Sequence, residues 1–161
     1  MAVDYARSDL LAEPDWLWEH RADPRLRVID CSTLDVYSRA HIPGSVCLLD
    51  EATEPLSAKG VWLKDPANPL HVISADGMAA VMAALGVSDD TTVVAYDSYN
   101  GTWATRLWWV LTYYGHADVK LLNGGWQRWV DEERSVTFRS TEPPPGMFTL
   151  RPNEALRIRV E

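Results

Sequence analysis

The chain has 161 residues, 47% hydrophobic and 24% charged, with a formal net charge of -8. That length fits a single domain able to bury roughly two thirds of the surface its unfolded chain exposes. The charge excludes a sequence-independent grip on nucleic acid or on an anionic membrane, which needs clustered Lys and Arg; Arg134, Arg139, Arg151, Arg157 and Arg159 gather only in a carboxyl-terminal stretch that reads as a connector.

The amino terminus, Met1 to Arg7, has no basic region followed by an apolar core, so no secretory signal is expected. No run approaches the length of a membrane span. A cytoplasmic location follows as an expectation, with both cysteines reduced. Pro14 to Arg21 reads as a first helix, with Pro14 suited to its first turn and Trp16 and Leu17 facing inward. Leu26 to Cys31 is a strand, Asp35 to Ala40 a short helix, and the breaker His41-Ile42-Pro43-Gly44 turns the chain into a second apolar run, Val46 to Leu49. Residues 51 to 73 are rich in Pro, Asp, Asn and Lys without a sustained period, and read as a surface excursion.

Helix resumes after Ser74, a suitable N-cap, with Met78, Val81, Met82 and Leu85 on one face before Gly86 ends it. The apolar run Val93 to Tyr96 is then a buried strand. It is followed by the polar loop Asp97-Ser98-Tyr99-Asn100-Gly101 and by a helix from Thr102 to Tyr114 that is apolar on nearly every side. Such a helix is normally buried all round, so either the domain covers it or one side expects a partner. Gly115-His116 breaks it, Val119 to Leu122 is another strand, and Asn123-Gly124-Gly125 opens a last helix carrying Trp126, Trp129 and Val130. Thr141 to Gly146, with three consecutive prolines, reads as linker, so the domain is placed at 8–140 and a linker-like tail at 141–161. Strands alternate with helices throughout, which implies an α/β fold with a mainly parallel, twisted sheet of about five strands and helices on both faces.

The loop from Asp97 to Thr102 is the candidate site. A loop between a strand's carboxyl end and a helix's amino end aims several backbone N–H groups at one spot, which suits an anion or an anionic nucleophile. Here a carboxylate stands at its mouth, and its simplest role is to cap the loop, with binding or catalysis as the alternative. Arg106, near the start of the following helix, is placed to pair with Asp97 or another inward carboxylate, or to bind an anion. Cys31 and Cys47 lie at strand positions, where free Cys behaves as a small core hydrophobe. Tyr37 and Thr53 stand where the Arg of a phosphatase-like Cys cradle would be. His41 sits in a turn, and His20, His71 and His116 have no partners at metal-ligand spacing. No Gly-rich phosphate loop is present for a flavin or nucleotide, so no cofactor and no metal are expected.

Taken in order, His41-Ile42-Pro43-Gly44 after a strand ending near Asp30, the polar loop after Val93-Val94-Ala95-Tyr96, Arg106-Leu107-Trp108-Trp109, Gly115-His116 and Leu122-Asn123-Gly124-Gly125-Trp126 form a set. Together they resemble the rhodanese-like domain, and specifically the amino-terminal domain of two-domain thiosulfate and 3-mercaptopyruvate sulfurtransferases, over roughly residues 8 to 157. The resemblance implies sulfane-sulfur transfer through a cysteine persulfide, the nucleophile being the first residue of the loop after the fourth strand. That position is Asp97, which cannot form a persulfide. The catalytic position is then predicted inactive, with Ser98, Tyr99, Asn100, Gly101, Thr102 and Arg106 as loop and anion cradle. The resemblance also implies a partner: a cysteine-bearing rhodanese-like domain, or a homodimer through a Trp-rich face. Two alternatives are a free-standing protein-binding or regulatory module, and an active sulfurtransferase that uses Cys31 or Cys47.

Overall fold

The computed structural model describes residues 5–49, 63–65, 68 and 71–157. Most of the 51–73 excursion therefore lies outside the described residues. Ten elements follow in chain order: β1 (Leu11–Ala12), α1 (Pro14–His20), β2 (Leu26–Asp30), α2 (Leu34–Arg39), β3 (Val46–Cys47), α3 (Ala75–Ala84), β4 (Thr92–Tyr96), α4 (Thr102–Tyr113), β5 (Val119–Leu122) and α5 (Gly125–Asp131). Short 3-10 turns at Ser8–Leu10 and Glu154–Leu156 flank them.

The strands form one five-stranded sheet, order β1-β5-β4-β2-β3, every pairing parallel. β4 lies at its centre, with Ala95 opposite Ile29 on one side and Leu121 on the other. The strand period of two divides apolar residues between two cores. Ile29, Val93, Ala95 and Val119 face the first, which α3 and α4 fill with Met78, Val81, Met82, Leu107, Val110 and Leu111. Leu26, Val28, Val94 and Leu122 face the second, with Leu17 of α1 and Trp129 of α5. A fully buried leucine contributes about 2 kcal/mol, so both faces of the sheet are stabilised and neither is left as an apolar plane.

Local signals explain the element ends. Ser74 Oγ accepts the Gly77 N–H at 3.2 Å, capping α3, and Gly86, at φ +69°, stops it. The run Val46 to Leu49 pairs only over Val46–Cys47, beyond which a single bond from the Leu48 N–H to the Asp30 carbonyl continues the register. β1 was invisible to sequence periodicity, because two residues carry no pattern.

The carboxyl-terminal stretch from Pro143 to Asn153 is laid along the amino ends of the strands as an extended strap. Its backbone N–H groups at Gly146, Arg151 and Asn153 donate to the carbonyls of Ala83, Tyr114 and Tyr113 at 2.7–2.9 Å. The Met147 carbonyl accepts from Asp89, the Thr149 N–H donates to the Asp89 carboxylate, and Phe148 and Leu150 pack on the first core. The approach is close enough that a Cβ on Gly146 would lie 2.2 Å from the Val87 carbonyl oxygen.

Candidate active site

β4 delivers Asp97 to the carboxyl end of the sheet, and the loop then folds back around that residue's own side chain. Asn100 at φ +56° and Gly101 at φ +80° are two consecutive left-handed residues that make this reversal. As a result Asp97 Oδ1 accepts the N–H groups of Tyr99 (2.7 Å) and Gly101 (2.8 Å), while Oδ2 accepts those of Trp103 (2.7 Å) and Ala104 (2.8 Å). The residue is 2% exposed. Trp103 and Ala104 lie in the first turn of α4, whose N-cap, Gly101, supplies no side chain. Asp97 thus occupies the converging amides and caps the helix from a distance.

The other loop residues divide. The Ser98 N–H donates to Ser32 Oγ at 3.1 Å, and the two hydroxyls lie 3.2 Å apart. The Thr102 N–H donates to the Tyr99 carbonyl, so neither Ser98 nor Thr102 adds an amide to the cradle. Tyr99 turns its ring outward, 40% exposed. Arg106 is not the partner of Asp97. Its guanidinium donates to the Leu63 carbonyl at 3.3 Å and lies 5.2 Å from the Trp109 ring, and partial burial lowers its pKa. The physical reason is that backbone donors already use both carboxylate oxygens.

Behind the loop stands a buried network that the sequence reading passed over. Asp30, at the end of β2, accepts the Ser32 N–H at 2.8 Å, and the Tyr96 hydroxyl lies close enough to influence its titration. The Tyr96 oxygen accepts the Ile42 N–H at 3.1 Å and shares a hydrogen bond with the Ser45 hydroxyl at 3.1 Å. Tyr96 therefore ties the turn at 41–45 to β4, while Asp30 holds Ser32 and Ser32 holds Ser98 of the Asp97 loop. A carboxylate closing the strand directly after the apolar pair Val28-Ile29 is the one sequence signal for it. His41 is fully buried, its Nδ1 2.7 Å from the Tyr37 carbonyl, its Nε2 3.0 Å from the Arg139 carbonyl, and its ring stacked on Tyr37.

Both cysteines are buried. Burial pushes the Cys31 thiol well up, with the negative charges of Asp30 and Asp97 adding to it, which disfavours the nucleophilic thiolate. The tryptophans are mostly packed: Trp129 is fully buried, while Trp103, Trp108 and Trp109 lie partly buried on the first core. Among the described residues no group of three or more His, Cys, Asp or Glu is arranged to hold a metal ion.

Beside the cradle is a crevice of about 450 Å³ between the loops after β4 and β5. Those loops are tied by the Trp126 N–H donating to the Asp97 carbonyl at 3.2 Å.

Comparison with known proteins bears on the family and the fold. The sequence pattern of the rhodanese-like domain matches residues 13–132. The sulfur carrier protein TtuD of Thermus thermophilus is 37% identical over 149 residues, covering 91% of this chain and 48% of that protein. A thiosulfate sulfurtransferase of Bos taurus is 32% identical over 162 residues, 91% of this chain and 51% of the other. The crystal structure of SseA from Escherichia coli, described as a 3-mercaptopyruvate sulfotransferase, superposes with a TM-score of 0.74 at 28% identity, covering 89% of this chain and 56% of that one. The chain spans about half the length of the relatives it matches.

Proposed function

Since this chain belongs to the rhodanese-like domain family, within the sulfurtransferase group, we propose that it is a domain of the amino-terminal type, silent alone and supporting a cysteine-bearing half. The observation that carries the reading is the Asp97 carboxylate with its four backbone N–H partners. Sulfur transfer of this kind needs a thiolate that attacks the outer sulfur of a donor, breaks its bond to the leaving group and keeps the sulfur as a persulfide. A carboxylate oxygen at that position offers no sulfur to bond, and it fills the space an anionic donor would use.

The partner in this reading is a rhodanese-like domain with its own loop cysteine, or a second copy of the chain. The family's half-length match supports the first. A cytoplasmic working place belongs to the same reading; among the described residues no helix is long and apolar enough to cross a membrane.

The test is a sulfurtransferase assay of the purified chain with thiosulfate and with 3-mercaptopyruvate, alongside a Cys31→Ser/Cys47→Ser double variant and Asp97→Ala. No turnover is expected from any of them. Asp97→Ala empties the cradle, so thiosulfate or sulfate should raise its melting temperature while leaving the wild type unmoved. Turnover by the wild-type chain overturns the reading, and its loss in the double variant would locate the chemistry at a thiol.

A further inference from the structure

The crevice beside Asp97 lies where the chain's topology opens the sheet. α4, which follows β4, packs on the first core, whereas α5, which follows β5, packs on the second. The two connections leave neighbouring strands toward opposite faces, and open α/β sheets bind ligands at such a divergence, outside the carboxyl ends of the strands. The walls are already held in place. The Asp97 carbonyl accepts the Trp126 N–H, a Cβ on Gly125 would come within 3.2 Å of that same oxygen, and the Asp97 carboxylate fixes the first turn of α4.

We infer that this crevice binds an uncharged, flat, hydrogen-bonding molecule of about one aromatic ring with an amide, and that it rejects anions of the same shape. The lining chemistry selects that class. Ser98, Asn100, Thr105 and Gln127 offer neutral polar groups, Leu11 and Leu122 apolar surface, and no Lys, Arg or His of the described residues lines the space. An anion entering it would shed hydration without meeting a counter-charge, in a chain whose net charge is already -8. A cation fares no better. The one carboxylate in the wall, Asp97, has both oxygens committed to backbone N–H groups, and the Tyr96 hydroxyl is engaged by the Ile42 N–H and the Ser45 hydroxyl. Trp126 adds the flat element: its partly buried indole stacks on Tyr96 with centroids 6.3 Å apart and an interplanar angle of 23°. Trp126 also lines the space, so aromatic surface is available to a planar ring there.

The rejection of anions rests on the proposed closure of the cradle by Asp97; the crevice itself does not depend on it. Nicotinamide and nicotinate are matched probes, alike in shape and different in charge. With the full ¹⁵N-labelled chain, nicotinamide should shift the amides of Gly101, Gly124 and Gly125 and the Trp126 indole N–H saturably, with a dissociation constant roughly in the millimolar range. Nicotinate should bind at least about tenfold more weakly, the difference an uncompensated charge imposes. Thr105→Tyr, at an exposed position of the crevice rim, should abolish the nicotinamide shifts while the rest of the spectrum stays native. In Asp97→Ala, nicotinate and sulfate should gain affinity at the loop amides while nicotinamide still reports at Gly124 and Gly125. Absence of saturable shifts, equal affinity for the two probes in the wild type, or shifts that survive Thr105→Tyr each overturn the inference. Turnover of thiosulfate by the wild type, with the nicotinamide shifts intact, would overturn the silent-domain reading alone.

Discussion

Asp30 brings a carboxyl group into the interior at 2% exposure, and loss of hydration is the largest influence on it, raising its pKa above the ordinary 3.8. Hydrogen bonds from Tyr96 and Ser32 pull the other way without cancelling the effect. Because the folded pKa exceeds the unfolded one, the folded state binds the proton more tightly. The stability this supplies is complete below the unfolded pKa and is lost as pH rises through the folded value. Asp30→Asn, which mimics the neutral acid, should flatten that decline. Chemical denaturation at a series of pH values from about 3.5 upward should show the wild type losing ground against the variant as pH increases; parallel curves would refute it. Asp97 could be found from sequence alone, since an apolar run, a polar loop and a helix in that order mark a strand's carboxyl end. Sequence gives the place of Arg106 along the helix but not the loop reversal at Asn100 and Gly101 that turns backbone N–H groups onto the Asp97 carboxylate.

Strands of five residues and helices with clear caps were legible element by element, whereas β1 and the strap were not. β1 is two residues long and exists through its pairing with β5. Three prolines and few apolar residues gave the strap the composition of a linker, yet its order comes from backbone hydrogen bonds and a glycine contact, which composition does not register. Gly146→Ala tests this. The added methyl would meet main-chain atoms of Val87 rather than a side chain able to rotate, so the strap must lift, at an expected loss of about 2–4 kcal/mol. Gly44→Ala is the control, because at φ +84° it has open space around it and suffers only backbone strain, about 1–2 kcal/mol. Thermal melts should rank the two variants in that order. A Gly146→Ala protein as stable as the wild type would mean the strap contributes little.

At the scale of the molecule, two cores on one sheet leave the thiols no route to solvent. Cys31 is 0% and Cys47 3% exposed, so alkylation by iodoacetamide should require opening of the structure and run about a thousandfold or more slower than in the denatured chain. Rapid native-state labelling would reopen the case for a working thiol. The parallel architecture and its two helical layers were readable from the alternation of segments. The crevice was not, because it depends on strand order and on which face each helix takes. Contact between Gly146 and Val87 also sets a timetable. The strap follows the sheet in the chain, and at about 5–20 residues per second the ribosome adds the intervening stretch in roughly 3–12 s. Throughout that interval the nascent chain carries its central strand with the amino end of the sheet uncovered, until the strap emerges and closes it.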